Sequence, residues 1–259
     1  MPTLPYLDHP GPVPLAHRGF SSTGLENSRA AFAAAVELGY RYLETDVHAT
    51  ADGMVVAFHD TRLDRVTDRQ GAVAALPWAE VARARIGGME PVPSLAELLE
   101  EFPAARFNID IKAPAAVTPL AELLERTRSH DRVCVTSFSD RRRLAALRRL
   151  SRPVATSAGQ AVVGGLLAVQ RLPPAARAPV ARRLLAGVHL LQVPEQFGRV
   201  PVLTPAVLAT VHAAGVGVHV WTVNDRATMV RLLDAGVDGL VTDRADLLKD
   251  VLRERGEWV

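Results

Sequence analysis

Two histidines stand where short apolar runs end, and each has a charged neighbour. His17 and Arg18 follow residues 13–16, and His59 follows residues 54–58. An imidazole exchanges a proton near neutral pH, and a guanidinium holds an anion such as a phosphate. Two histidines can divide a reaction, because one can take a proton while the other gives one. The pattern predicts acid–base chemistry on an anionic substrate, with a purely structural role for each histidine as the alternative.

Carboxylates recur at a spacing of two in the following segments. Glu44 and Asp46 point to the same side of a strand, because side chains alternate along an extended chain. Two like charges on one buried face are costly unless a cation lies between them. Asp110 could add a third oxygen, and carboxylates with water suit a hard divalent cation such as Mg²⁺ or Ca²⁺. Pairing of these acids with arginines is the alternative.

Lys112 and Trp221 are candidate contacts for a substrate. Lys112 lies two residues after Asp110 and therefore on the same face of its strand. If Asp110 binds a cation, Lys112 is free to hold a phosphate oxygen, whereas a salt bridge between the two is the alternative. Trp221 could wall a pocket. Asn224 is then either its polar neighbour or the cap of the helix that follows.

Composition and charge indicate an ordinary globular chain. The 259 residues are 48 % hydrophobic and 22 % charged, with a formal net charge of +2. The arginines are spread mostly in ones and twos, which argues against a nucleic-acid surface. No stretch reaches the roughly 18 apolar residues of a membrane span, and a single cysteine, Cys134, excludes a disulfide framework. We expect a cytoplasmic protein with a small-molecule substrate, no nucleic-acid partner and no stable membrane insertion.

Strand-like runs alternate with helical patterns along the whole chain. The runs are VPLAH, RYLETDVHAT, ARFNIDIKA, RVCVTSF, PVATSA, HLLQVP, VGVHVWTV and DGLVTD. Eight such strands predict an α/β fold, a parallel (β/α)8 TIM barrel that forms one domain over residues 1–259. Residues 51–93 predict a short insertion after the second strand, on one rim of the barrel. Residues 159–187 predict a helix, a break and a second helix.

A series of short motifs follows in order across nearly the whole chain. They are HRG at 17–19, ENS at 26–28, ETDVHAT at 44–50, HD at 59–60, LDRVTD at 63–68, PSLAELLE at 93–100, TSF at 136–138, WTVND at 221–225 and AGVDGLVTD at 235–243. Together they resemble the glycerophosphodiester phosphodiesterase family. The resemblance implies a TIM barrel and hydrolysis of glycerophosphodiesters to glycerol 3-phosphate and an alcohol, in lipid and glycerol metabolism.

The resemblance also implies roles for individual residues. It makes His17 and His59 the acid–base pair, Glu44, Asp46 and Asp110 the ligands of one divalent cation, Mg²⁺ or Ca²⁺, and Arg18, Lys112 and Trp221 the substrate contacts. Glu26 and Asn27 are expected to order the loop after His17.

Two departures from the family pattern affect these expectations. The family usually has Glu where Asp110 stands, which shortens the reach of that ligand by about 1.5 Å, one bond length. The segment between Asp60 and Pro93 is short for the insertion of the family, so we expect a more open groove.

Two other functions stay open at this point. Lysophospholipase D-type enzymes share the histidine pair and the acidic ligands, so the substrate could be a lysophospholipid; the apolar residues 164–169 keep that possibility open. A catalytically silent barrel that only binds phosphodiesters is the other alternative, although it would be expected to lack a histidine or the acidic pair. The nucleophile is either water or the glycerol 2-hydroxyl, which would give a cyclic phosphate.

Overall fold

Thirteen strands are found in the computed structural model, which describes residues 4–259. In chain order they are β1 (Val13–His17), β2 (Tyr42–Ala49), β3 (Val55–Ala57), β4 (Arg85–Ile86), β5 (Glu90–Pro91), β6 (Arg106–Ile111), β7 (Val133–Thr136), β8 (Ala155–Thr156), β9 (Leu190–Val193), β10 (Gln196–Phe197), β11 (Val200–Pro201), β12 (Gly217–Val220) and β13 (Gly239–Thr242). Each of the eight predicted runs contains one strand of the central sheet.

Ten α-helices alternate with these strands in the described part of the chain. They are α1 (Arg29–Glu37), α2 (Trp78–Val81), α3 (Leu95–Glu101), α4 (Val117–Thr127), α5 (Asp140–Leu147), α6 (Gln160–Val169), α7 (Pro174–Leu184), α8 (Pro205–Ala213), α9 (Arg226–Asp234) and α10 (Ala245–Glu254). Residues 1–3 of the predicted domain lie outside the described residues. No helix among residues 4–259 is both long enough and apolar enough to cross a membrane, and the cytoplasmic location stays a prediction.

The parallel strands form the predicted barrel. Their order is β8, β7, β6, β2, β1, β13, β12 and β9. A parallel bridge between Ser157 and Leu190 joins the two ends, where the amide of Ala158 also donates to the carbonyl oxygen of Leu190 at 2.9 Å. The sheet is therefore a nearly closed eight-stranded barrel of the TIM type, and the carboxyl ends of all its strands meet on one rim.

The predicted insertion after β2 contains its own small apolar core. β3 turns back and pairs antiparallel with β2, with Val47 opposite Ala57. Behind it, side chains that include Phe58 and Leu63 pack in a separate buried cluster. The amide of Phe58 donates to the carbonyl oxygen of Asp46 at 2.8 Å. This bond fixes the following residue, His59, beside the end of β2.

The second irregular region is a helix, a break and a helix, as the sequence predicts. α6 and α7 lie on either side of residues 170–173. Asp140 caps α6 from outside the helix, because its carboxylate accepts the amides of Gly159, Ala161 and Val162 at 2.9, 3.1 and 3.2 Å. A Cβ on Gly159 would lie 2.7 Å from Asp140, so only glycine permits this approach. The cap holds the first turn of α6 at the rim.

A polar layer crosses the barrel interior below the rim. Gln192 donates to Asn108 Oδ1 at 3.0 Å and lies 3.3 Å from His219 Nδ1. His219 is 2 % exposed, and burial lowers its pKa to about 4. Beneath this layer the hydroxyl of Tyr42 donates to the carbonyl oxygen of Tyr6 at 2.8 Å. Tyr6, Leu15 and Tyr42 pack in one buried cluster at this level of the barrel.

The buried His219 predicts a specific loss of stability in acid. Its pKa is lower in the folded than in the unfolded state, so the unfolded chain binds the proton more readily below pH 6.5 and stability falls as pH falls toward 4. We expect this residue to account for about 2 kcal/mol of the stability lost between pH 7 and pH 5, from the linkage relation. In urea unfolding at both pH values, His219→Gln should lose less stability than the wild type. The control is His212→Gln, at a partly exposed histidine; an equal acid loss in wild type and His219→Gln would contradict the prediction.

Candidate active site

A cavity of about 580 Å³ opens at the carboxyl end of the barrel strands. One end is lined by charged and polar side chains and the other by apolar ones. The charged end includes His17, Arg18, Glu44, Asp46, His59, Asp110 and Lys112, and the apolar end includes Phe138, Val163, Leu167, Phe197, Val200 and Trp221. The structure thus brings every predicted site residue to one cavity.

His17 ends β1 and is oriented by a carboxylate from the last barrel strand. Its Nδ1 lies 2.6 Å from Asp243 Oδ1, and Asp243 Oδ2 accepts from Asn224 Nδ2 at 2.7 Å. Burial lowers the pKa of His17, but the hydrogen bond to Asp243 and the charge of Glu44 outweigh burial and raise it above its ordinary value. Since the carboxylate holds the proton on Nδ1, Nε2 is the nitrogen left for proton exchange.

His59 has the same arrangement on the opposite side of the charged end. Its Nδ1 lies 2.6 Å from Asp60 Oδ1. The backbone oxygen of His59 accepts a hydrogen bond from His48 Nε2 at 3.1 Å, which gives His48 a supporting position beneath the loop. Two Asp–His pairs therefore face one cavity, and each fixes the tautomer of its imidazole.

Three carboxylates lie between the histidines. Glu44 and Asp46 share one face of β2, and Asp46 is directly opposite Asp110 of β6 in the strand register. Burial, followed by the charge of Asp46, raises the pKa of Glu44 to about 7. Burial also raises the pKa of Asp110. For Asp46 the effect of burial is outweighed by Lys112 and Arg18, so its pKa is lowered and it is the carboxylate held most firmly in its charged form.

Arg18 is held against these acids by an unusual backbone conformation. Its φ is +55°, and its amide donates to Glu44 Oε2 at 3.2 Å. Its Nη1 donates to Glu26 Oε1 at 3.0 Å, and its Nε lies 2.9 Å from Asp46 Oδ2 as an ion pair without hydrogen-bond alignment. Gly19 follows at φ +84°, where a Cβ would lie 2.6 Å from the backbone of Ala31. The HRG motif is therefore a turn that only glycine can complete.

Lys112 bridges two of the carboxylates. Its Nζ lies 2.7 Å from Asp46 Oδ1 and 2.7 Å from Asp110 Oδ2. This is the salt bridge that the sequence left open as the alternative to a free ammonium. Lysine has three donors, so one N–H of Lys112 is left over for an anion. Its role in phosphate binding stays a prediction.

The three carboxylates are ligands of the type that a hard divalent cation prefers, although their side chains do not converge on one point. Within residues 4–259, no group of three or more His, Cys, Asp or Glu side chains has the arrangement of a metal centre. Two buried carboxylate oxygens, Asp46 Oδ2 and Asp110 Oδ1, nevertheless have no hydrogen-bond partner. Buried oxygens of this kind are the donors that Mg²⁺ and Ca²⁺ prefer. Glu44 adds a third carboxylate on the same face of the barrel.

The apolar end combines the predicted Trp221 with residues that the sequence did not predict. Trp221 directly follows β12, as a pocket wall requires, and its ring meets Phe138 edge-to-face at 5.6 Å. Lys112 Nζ lies 5.3 Å from the centre of the Phe138 ring. Phe197 and Val200 extend the wall from the β10–β11 hairpin and are 69 % and 54 % exposed. No strand alternation marked that hairpin in the sequence.

Asn224 does not cap the following helix, and no role for Asp243 was predicted from the sequence. Asp225, and not Asn224, caps the helix α9, because its side chain accepts the amide of Thr228. Asn224 instead binds Asp243 and Thr242. The signal for Asp243 was its place at the end of the closing TD motif, directly after β13, which pairs with β1.

Comparison with known proteins shows the family of the chain. The model of the glycerophosphoryl diester phosphodiesterase family matches residues 17–247. A Mycobacterium tuberculosis protein named "Probable glycerophosphodiester phosphodiesterase 2" is 47 % identical over 258 residues, covering 99 % of this chain and 97 % of that protein. The human lysophospholipase D GDPD1 is 28 % identical over 271 residues, covering 92 % and 85 %.

A solved structure shows the same fold. It is an Oleispira antarctica phosphodiesterase in complex with the product sn-glycerol-3-phosphate, with a TM-score of 0.76 and 22 % identity over 94 % of this chain and 97 % of that chain. The matches span the barrel and both histidines. The chain therefore belongs to the glycerophosphodiester phosphodiesterase family and is a phosphoric diester hydrolase.

Proposed function

We propose that the chain hydrolyses glycerophosphodiesters to glycerol 3-phosphate and an alcohol, with His17 and His59 as the acid–base pair. The observation that carries the proposal is the pair of imidazoles, each held at Nδ1 by a carboxylate 2.6 Å away, on one cavity. Phosphodiester hydrolysis needs a group that removes a proton from the nucleophile and another that protonates the leaving alkoxide. Two oriented Nε2 atoms supply both.

The charged end is suited to a phosphodiester group. Arg18 and Lys112 place a guanidinium and an ammonium beside the same carboxylate, Asp46. Positive groups fixed in advance stabilise the negative charge that grows on the phosphoryl oxygens in the transition state. Trp221 would contact the organic part of the substrate, since it lines the apolar end of the cavity and packs against Phe138, whose ring centre lies 5.3 Å from Lys112 Nζ.

The acids Glu44, Asp46 and Asp110 would hold one divalent cation, Mg²⁺ or Ca²⁺. When bound, such an ion polarises a phosphoryl oxygen and neutralises its charge. Two of the three carboxylates already offer a buried oxygen without a hydrogen-bond partner. The ammonium of Lys112 lies beside two of these acids, Asp46 and Asp110, and balances part of their charge.

Replacing either histidine should remove most of the activity. Because each acts at a different proton-transfer step, His17→Ala and His59→Ala should each lower kcat on glycerophosphocholine by about 10²–10⁴-fold. Circular dichroism should show that both variants keep the fold. The control is His212→Ala, at a histidine that pairs with Asp238 outside the cavity. Rates like the wild type for both site variants would rule out the acid–base assignment.

Metal dependence is tested by removal and return of the ion. After chelation and dialysis we expect turnover of glycerophosphocholine to stop, and to return with Mg²⁺ or Ca²⁺ added separately. Phosphorus NMR shows whether glycerol 3-phosphate forms directly or through a cyclic phosphate, and so which nucleophile attacks. Asp46→Asn removes a charged ligand and should abolish the return. Full turnover by the chelated wild type would exclude a metal requirement.

The apolar end of the cavity favours a second candidate, hydrolysis of lysophospholipids. α6 and the β10–β11 hairpin form two apolar sides of the cavity, with Leu167 on the helix and Phe197 on the hairpin. Glycerophosphocholine has no acyl chain to cover this surface. An acyl chain would cover it and remove the exposed Phe197 and Val200 from water. As with a glycerophosphodiester, the phosphodiester bond would be cleaved at the charged end of the cavity and an alcohol would be released.

The Phe197 side chain should distinguish the two substrates. Phe197→Ser removes apolar contact to an acyl chain, so we expect kcat/KM for lysophosphatidylcholine to fall about 10-fold, as burial of one large apolar side chain allows. The kcat/KM for glycerophosphocholine should not change. Val180→Ser, at an exposed apolar residue of α7 outside the cavity lining, is the control. Equal falls on both substrates, or no lysophosphatidylcholine turnover by the wild type, would reject this candidate.

A further inference from the structure

Arg65 lies in the insertion and contacts two acidic residues at once. Its Nε donates to Asp60 Oδ2 at 2.5 Å and its Nη2 lies 3.2 Å from Asp60 Oδ1. The same guanidinium donates to Glu26, from Nη2 to Oε1 at 2.7 Å and from Nη1 to Oε2 at 3.2 Å. The guanidinium of Arg65 thus binds two carboxylates that lie on different segments of the chain.

Each of these carboxylates holds a residue of the charged end. Asp60 lies 2.6 Å from His59 Nδ1, and Glu26 accepts from Arg18 Nη1 at 3.0 Å. The guanidinium of Arg65 therefore supports two residues, each through one carboxylate. One is His59, which would exchange protons, and the other is Arg18, which would bind phosphate. The side chain of Arg65 is 50 % exposed and does not line the cavity, so it does not reach a bound substrate.

We propose that Arg65 is a positioning residue for the phosphodiesterase reaction, which acts through Asp60 on His59 and through Glu26 on Arg18. The proposal rests on the roles proposed above for His59 and Arg18. It gives the insertion a function, since the insertion carries both His59 and the residue that fixes its orientation.

The local structure holds Arg65 in place before substrate binds. It ends a short 3₁₀ turn, Leu63–Arg65, whose first side chain is fully buried in the apolar cluster of the insertion. Asp64 fixes the other side of the turn, because its Oδ2 accepts the amide of Gly71 at 3.0 Å. The hydrogen bond to Arg65 also lowers the pKa of Asp60 to about 2. Asp60 is therefore ionised at neutral pH and able to accept a hydrogen bond from His59.

A stabilising role alone does not account for the arrangement. Ion pairs of exposed side chains contribute little to stability. A bidentate arginine between two carboxylates mainly fixes geometry, and lysine cannot reproduce it because its ammonium is a point donor. Arg62 shows the contrast, since it lies in the same loop and, among residues 4–259, forms its ion pair with Asp64 at 3.1 Å and none with a residue of the site.

The first experiment compares Arg65→Gln with Arg62→Gln in steady-state kinetics on glycerophosphocholine. Loss of an outer positioning contact costs about 10–100-fold in activity. We expect Arg65→Gln to lower kcat by that factor and to raise KM, since Arg18 also loses support, while Arg62→Gln keeps wild-type values. Arg65→Lys should recover only part of kcat. Equal kinetics for Arg65→Gln and Arg62→Gln would overturn the proposal.

The second experiment follows His59 itself, without substrate. Nitrogen NMR of labelled histidine reports which ring nitrogen carries the proton. We expect a single tautomer of His59, with the proton on Nδ1, in the wild type and in Arg62→Gln, and a mixture of tautomers in Arg65→Gln. An unchanged His59 signal in Arg65→Gln would show that any loss of activity does not pass through His59.

A double variant tests the route. If Arg65 acts on His59 through Asp60, Arg65→Gln should add little further loss of kcat to Asp60→Asn, because residues that act as one unit are not additive. Fully additive losses would contradict that route. If the wild type does not turn over glycerophosphocholine at all, the proposed function fails, but the tautomer of His59 still decides whether Arg65 positions it.

Discussion

Three buried carboxylates on β2 and β6 set the constraint on which the site depends. Glu44, Asp46 and Asp110 are only 6 %, 2 % and 6 % exposed. Buried charges of one sign are stable only with opposite charge and hydrogen bonds nearby. Arg18 and Lys112 supply that charge from two neighbouring strands. The left-handed turn of the HRG motif follows from the same need, because it carries both the amide and the side chain of Arg18 to the acids.

A series of contacts between oppositely charged side chains connects Arg18 to His59. Arg18 donates to Glu26, Arg65 donates to both Glu26 and Asp60, and Asp60 contacts His59. Each group is held by the next, so in the proposed reaction the site would need little rearrangement as charge develops in the transition state. The network also explains why the insertion packs its own apolar core, since a loosely held loop would not fix the orientation of His59.

The sequence predicted the parts of the site that depend on local spacing. The same-face pairing of Glu44 with Asp46, and the eight strands, follow from the alternation of extended chain and are found in the structure. Asp243 could not be found in this way, because it reaches His17 only after β13 closes the barrel against β1. The wall formed by Phe197 has no local signal either, since a six-residue hairpin of exposed residues has the sequence pattern of a loop.

The charged end and the apolar end of the cavity are built by different parts of the barrel. The charged end is built by β1, β2, β6 and the loops beside them, whereas the apolar end comes from α6, the β10–β11 hairpin and the residue after β12. The polar layer around Gln192 supports both from below. Because the two ends are built by different residues, we expect a change in α6 or in the hairpin to alter which organic group fits without moving the histidines or the acids. In the proposed function, the buried strands would therefore supply the chemistry and the segments of the rim would select the substrate.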